Sequence, residues 1–319
     1  MTFDPVLLEI LSDLPPAEPI APASAGSAEV ARTRAAADAA ADVLAHRVTA
    51  PGPDVASVHE VRIPVGEMTI GARLYRPDGD GPFGAHVYFH GGSWNQGSPA
   101  SFYVDATCRE RCAGAGVAVL SVDYRMAPEH VFPTAVEDSW AALDWIASHP
   151  DVDGRNLSVG GGSAGGNLAA AVALMARDRG GPELRLALLE VPALDLTGAH
   201  LDADVVGGGD PSGLRAVFDS YLGERDAATN PLASPLLADD LTGLPAFHIM
   251  TAEHDPLRGD GEAFLRRLTD AGLAATGGRR AGHIHPSASF TAVFEPAREW
   301  RAEVLATLAA VHAKASVAS

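Results

Sequence analysis

The sequence predicts an α/β fold in which a mainly parallel central sheet is flanked by helices. Five short apolar runs, AHVYF, VAVLSV, NLSVG, LALLEV and AFHIM, alternate with helical segments such as PTAVEDSWAALDWIASH, AGGNLAAAVALMARD and GDGEAFLRRLTDAG. Strands separated by helices of this length imply βαβ crossovers and parallel pairing. A chain of 319 residues is long enough to bury the core of a large domain of this type. In such sheets the ligand site lies at the carboxyl ends of the strands.

At the N-terminus, an amphipathic stretch near Pro5 to Leu14, a Pro/Ala/Ser segment and an Ala-rich run from about Ala28 to Val48 read as helical and peripheral. From about Val58 the pattern changes to β-branched and alternating runs, VHEVRIPV and MTIGARLYRP, separated by Gly66-Glu67 and ended by Pro77. That pattern predicts an antiparallel hairpin. The strand–helix alternation follows, interrupted from about Thr197 to Asn230 by Gly207-Gly208-Gly209, the helical stretch PSGLRAVFDSYLG and NPLASP. The interruption reads as an inserted cap packed with the N-terminal helices. The expected division is therefore a cap part at 1–55, core at 56–196, cap insertion at 197–230 and core again at 231–319.

Acidic residues outnumber basic ones 41 to 23, for a formal charge of −18. Phosphate backbones and anionic lipid surfaces are repelled on balance, which argues against a nucleic-acid partner. No run of about 18 apolar residues occurs and the N-terminus is acidic rather than basic, so a cytoplasmic protein without stable membrane association is expected. Cys108 and Cys112 lie in the helical segment DATCRERCAGAG, where a disulfide would close a negligible loop; they are expected to be reduced and structural.

Gly161-Gly162-Ser163-Ala164-Gly165 matches G-x-S-x-G, a pattern that about one chain in ten of this length contains by chance. Its context carries the weight. NLSVG precedes it as a buried strand and a helix starts directly after the serine, so a tight strand-to-helix turn exposes the Ser163 hydroxyl as a nucleophile. The plain alternative is a glycine-rich connection or an anion-binding helix N-terminus. A serine nucleophile also needs a base and donors for the oxyanion. His90-Gly91-Gly92-Ser93-Trp94 directly follows the strand AHVYF, and Gly91, Gly92 and Ala164 are the expected oxyanion donors.

Asp255, in the loop after AFHIM, is the expected acid, with Glu253 and Asp260 as competitors on or near the flanking strand and helix. For the base, His283 and His285 stand close together. Pro286 suits the first position of a helix, which puts His285 on the loop ahead of it and favours His285. His283 is expected to line or support the site. A metal bound by this H-x-H pair would need further ligands and would take away the base. Trp94, Phe218 and Tyr221 are candidate pocket walls, with ordinary packing the more common role for the last two.

These residues resemble the hormone-sensitive-lipase-like (bacterial family IV) carboxylesterases of the α/β-hydrolase superfamily. The matching segments are HGGSW at 90–94, DYRMAPEHVFPTAVED at 123–138, GGSAGGNLA at 161–169, LPAFHIMTAEHDPLRGDGEAFLRRLTDAG at 244–272 and GHIH at 282–285. The resemblance implies an α/β-hydrolase core with a helical cap, and hydrolysis of short to medium acyl esters by Ser163, Asp255 and His285. It gives Tyr124, Arg125 and Glu129 structural rather than catalytic roles. Three positions depart from the family pattern: Gly162 where Asp is common, Ser93 where a third glycine is usual, and Pro286 where glycine often follows the histidine. No cofactor or metal is implied. The expected partner is a small-molecule ester, and a homodimer is compatible with the sequence. The competing readings are a hydrolase of amides, lactones or carbamates, a non-catalytic small-ligand binder of the same fold and, more distantly, a metal-dependent hydrolase.

Overall fold

The computed structural model describes residues 4–13, 26–202, 205 and 212–313. Most of the Pro/Ala/Ser segment and the Gly207–Gly209 run lie outside them. The expected hairpin is present as β1 (Ser57–Val65) and β2 (Met68–Arg76), with Val65 opposite Met68 across the Gly66-Glu67 turn. β2 pairs antiparallel with β4 (Ala118–Asp123). Parallel pairing then links β3 (Phe83–Phe89), β4, β5 (Val152–Gly162), β6 (Leu184–Glu190), β7 (Ala246–His254) and β8 (Ala275–Ile284) in one eight-stranded sheet of order β1-β2-β4-β3-β5-β6-β7-β8.

Inner strands are apolar on both sides because both faces are covered. Val87, Phe89, Leu120, Val122, Val159, Ala187, Leu189, Phe247 and Ile249 pack with α4 (Thr134–Ala147), α5 (Ala164–Asp178) and α7 (Arg258–Asp270). The alternate residues of the same strands turn the other way. Tyr88 and Val119 meet α3 (Phe102–Ala115), and Leu186, Leu188, Met250 and Ala252 meet α8 (Glu295–Ala313). Three further helices lie outside this three-layer core: α1 (Pro5–Asp13) with α2 (Ser27–Val48) at the N-terminus, and α6 (Ser212–Leu222) in the insertion.

The topology brings the site together. β3 lies between β4 and β5, so its connections leave in opposite directions and open a crevice at the carboxyl ends of β3 and β5. Phe89 is in register with Gly161, which sets the loop beginning at His90 beside Ser163. At the other side, His254 is in register with Ile284, so Asp255 and His285 leave adjacent strands at the same level.

Two expectations are corrected. β8 was not among the expected strands, because its sequence ATGGRRAGHI carries glycines and arginines at exposed positions of an edge strand rather than an apolar run. Pro286 also does not open a long helix. Residues Ser287–Ser289 form a single 3-10 turn and α8 starts only at Glu295; the Ser287 hydroxyl turns back to the Ile284 carbonyl at 2.8 Å and closes the loop.

Candidate active site

β5 ends at Gly162 and α5 begins at Ala164, leaving Ser163 between them at φ 56°, ψ −120°. A non-glycine residue in such a region costs on the order of 1–3 kcal/mol and persists only where its surroundings hold it. The Ser163 N–H donates to the Glu190 carbonyl at 2.8 Å, and the Ser163 carbonyl accepts from the Asn167 N–H at 3.1 Å. A Cβ at position 165 would stand 1.9 Å from the Phe89 carbonyl oxygen, so α5 reaches β3 only because Gly165 has no side chain.

His285 Nε2 lies 3.0 Å from Ser163 Oγ, and His285 Nδ1 lies 2.7 Å from Asp255 Oδ2. A carboxylate only accepts, so Nδ1 carries the proton and Nε2 is left to accept from the serine hydroxyl. Asp255 is fully buried, and its other oxygen accepts from the Leu257 N–H at 2.9 Å, which fixes the carboxylate. Burial pulls the His285 pKa down, but the charge of Asp255 and its hydrogen bond more than offset that, and it stands above its ordinary value.

The competing acids and histidine are occupied elsewhere. Glu253 accepts from the Gly282 N–H at 2.7 Å. Asp260, in the first turn of α7, is buried and accepts from the N–H groups of Leu194 and Asp195 at 2.7 and 3.0 Å; burial pushes its pKa up to about 7. His283 is buried against Phe294 and Trp300 and pairs with the Ser287 hydroxyl at 2.7 Å, so it supports the His285 loop.

Opposite Ser163, Gly91 and Gly92 line the cavity, and a Cβ at 92 would fall 2.2 Å from the Gln96 carbonyl oxygen. The role of His90 was missed in the sequence. Its ring is buried, stacked on Tyr124 at 4.4 Å, and Nδ1 lies 2.8 Å from the Gly91 carbonyl oxygen. Burial lowers its pKa to about 4 despite that hydrogen bond, so the ring is neutral and Nδ1–H donates. In a planar trans peptide the C=O and the next N–H point opposite ways, so anchoring the Gly91 carbonyl also sets the direction of the Gly92 N–H. Ala164 opens α5, where N–H groups lack intrahelical acceptors.

A cavity of about 330 Å³ borders Ser163 and His285. It is lined also by Leu44 and Val48 of α2, Phe290, Tyr88, Glu190 and Arg301. Trp94, Phe218 and Tyr221 are not on its wall. Trp94 stacks on Tyr221 at 4.2 Å and meets Phe218 edge-on, all three buried, which is the bland packing role rather than the pocket role. Tyr124 donates to the His90 carbonyl at 2.8 Å, Arg125 pairs with Asp138, and Glu129 takes a two-pronged bond from Arg34 of α2 at 2.9 and 2.6 Å. All three are structural contacts.

A second serine–histidine cluster lies inside the core. Ser158 Oγ is 2.8 Å from His86 Nδ1 and 2.9 Å from His312 Nε2. Among the described residues no carboxylate bonds either ring, Arg111 faces His86 Nε2 at 3.0 Å, and none of the three lines the cavity at Ser163, so this cluster ties α8 to the sheet. Among the described residues no group of three or more His, Cys, Asp or Glu side chains is arranged to hold a metal ion. Cys108 and Cys112 are unpaired, and burial pushes both thiols up to about 12, which leaves no thiolate nucleophile there.

A strand-to-helix serine joined to a histidine and a buried aspartate at the carboxyl end of this sheet defines a hydrolase site of the α/β class. Residues 86–289 match the family described by its alpha/beta hydrolase fold, and the chain belongs to that family. It is 40% identical over 238 residues to Carboxylic ester hydrolase LipN of Mycobacterium tuberculosis, covering 70% of this chain but 62% of that relative. To Carboxylesterase NlhH of the same organism it is 38% identical over 242 residues, or 71% of this chain and 74% of that one. The solved hyperthermophilic esterase of Pyrobaculum calidifontis superposes with a TM-score of 0.87 at 34% identity, over 97% of this chain and 99% of that one. These relatives agree with the hormone-sensitive-lipase-like resemblance carried by the motifs.

Proposed function

We infer that the protein is a serine carboxylesterase acting on small-molecule esters through an acyl-enzyme on Ser163. The observation that carries this reading is the continuous hydrogen-bonded path from Ser163 Oγ through His285 to Asp255. His285 Nε2 takes the hydroxyl proton as Oγ bonds to the acyl carbon, and the resulting oxyanion is received by the N–H groups of Gly91, Gly92 and Ala164. The carbon–oxygen bond to the alcohol then breaks and the alcohol leaves with the proton from His285. Water gives a proton to His285 and its oxygen attacks the acyl carbon; the bond to Oγ breaks and the proton returns to Ser163. Each half-reaction restores His285 and needs no cofactor.

Residues 1–55 and 197–230 are read as the cap, which is supported by the α2 side chains on the cavity wall. Short to medium acyl groups fit the volume at Ser163, and a cytoplasmic location agrees with the two unpaired cysteines. Among the described residues no helix is long and apolar enough to cross a membrane. The test is a p-nitrophenyl ester series from acetyl to palmitoyl. Ser163→Ala should lower kcat by more than about 10⁵-fold, and turnover should favour the short chains. Unchanged turnover in the variant would remove Ser163 from the mechanism.

A further inference from the structure

Part of the cavity lining is polar, in contrast to the Ala41, Leu44, Ala45 and Val48 side chains of α2 on the same cavity. Arg301 of α8 lines it while 8% exposed. Its Nε donates to the Ala288 carbonyl at 3.1 Å and its Nη2 to the Thr107 hydroxyl at 2.7 Å, leaving Nη1 with no acceptor among the described residues. Two tyrosines on the same wall, Tyr88 and Tyr103, likewise have hydroxyls with no hydrogen-bond partner among the described residues. Burial raises both phenols far above their ordinary value, so they are neutral hydroxyls able to donate. These groups share a cavity with Ser163 and Gly162, and a Cβ at 162 would meet only the Glu190 carbonyl oxygen, at 3.8 Å, so that position leaves room beside it.

The charge inventory decides what such a wall prefers. Arg111 is paired with Glu190, and Arg301 faces Glu110 at 3.7 Å, so two guanidinium groups are already matched by two carboxylates. A further carboxylate would add unmatched charge in a poorly solvated place. A carbonyl or hydroxyl oxygen accepts a hydrogen bond without adding charge, and hydrogen bonds from a charged donor are stronger than neutral ones.

We propose that Arg301, Tyr88 and Tyr103 form a subsite for a neutral oxygen function on one arm of the ester, so that the enzyme selects oxo- or hydroxy-substituted short esters over plain alkyl ones. This rests on the esterase reading above. The subsite is specificity-determining and takes no part in bond making.

The experiment compares isosteric pairs: ethyl 4-oxopentanoate against ethyl 4-methylpentanoate for the acyl arm, and 4-oxopentyl acetate against 4-methylpentyl acetate for the alcohol arm. Ethyl hydrogen succinate serves as the anionic comparison. The readout is the ratio of kcat/KM within each pair, which cancels losses common to both esters. In one arm the oxo ester should be preferred roughly 10- to 100-fold, and the ratio should fall toward one in Arg301→Met and in Tyr103→Phe. Because Arg301 also holds the His285 loop through Ala288, Tyr103→Phe keeps the test valid if Arg301→Met misfolds. A ratio near one in both arms, a ratio unchanged in Tyr103→Phe, or a preference for the succinate half-ester would overturn the proposal. Failure of the wild type to hydrolyse even p-nitrophenyl acetate would instead sink the esterase reading, and the subsite with it.

Discussion

At the residue scale, the proposed base His285 would tie the chemistry to pH. Its pKa stands above the ordinary value of about 6.5 because Asp255 stabilises the imidazolium more than burial destabilises it. The base works only when neutral, so activity is lost as pH falls through that raised value. The acid limb of kcat/KM should therefore lie above about 6.5. In Asp255→Asn the charge is gone and the tautomer is no longer enforced. The limb should move to lower pH while kcat drops roughly 10³- to 10⁴-fold. A pH–rate profile of both proteins checks this, and an unmoved limb would show that Asp255 does not set the titration. His283, by contrast, is driven down to about 4 by burial, so it stays neutral but is a much weaker base, and its Nδ1 is taken up by the Ser287 hydroxyl at 2.7 Å rather than by Ser163.

At the element scale, α2 is more than a cover. Arg34, Asp38 and Asp42, four residues apart, share one face of the helix. Arg34 donates to the Asn95 and Ala127 carbonyls at 2.6 and 2.9 Å. Asp38 accepts from the Gly97 N–H at 2.8 Å, and Asp42 accepts from the Phe102 N–H at 2.8 Å. The stripe therefore grips the loop that begins with His90-Gly91-Gly92 along its length. Its consequence is positional, because two of the expected oxyanion donors, Gly91 and Gly92, belong to that loop. Arg34→Met should lower kcat roughly tenfold with a smaller change in KM, as an interaction that matters mostly at the transition state does. Equal loss in KM alone, measured by steady-state kinetics on p-nitrophenyl butyrate, would show that α2 only shapes binding.

At the scale of the whole molecule, buried histidines set the acid stability. His90, His283 and His312 are held near 4 by burial, and burial also lowers His86 well below its ordinary value. In the unfolded chain each titrates near 6.5, so below that pH the unfolded state binds more protons and stability falls as pH drops. His90, His283 and His312 each contribute about 3 kcal/mol of loss between about 6.5 and 4, and His86 acts in the same direction. Asp260 works the other way. Its folded value of about 7 means that the folded state gains on the unfolded one, by about 4 kcal/mol, as pH falls from about 7 toward 4. Several histidines outweigh one aspartate, so urea unfolding at pH 7.5, 6 and 5 should show a steady fall in stability. A flat profile would mean that these rings become solvated in the fold.

What the chain reveals on reading depends on how local the physics is. Strand and helix periodicity marked β3 to β7 and their helices, and the small residues around Ser163 marked the strand-to-helix turn, because such patterns are imposed by one element on itself. Ser163, Asp255 and His285 were each legible from a motif at a strand end. The sheet then had to bring them together, through the register of Phe89 with Gly161 and of His254 with Ile284. β8 escaped notice because an exposed edge strand needs no apolar run, and Trp94, Phe218 and Tyr221 were drawn toward the pocket when their partners were one another. The grip of α2 on the loop after β3 and the meeting of Tyr88, Tyr103 and Arg301 join residues far apart in the chain. Sequence alone determined which residues are candidates for ester chemistry. Only the tertiary structure decided what surrounds them, since burial and hydrogen-bond partners belong to the packed chain.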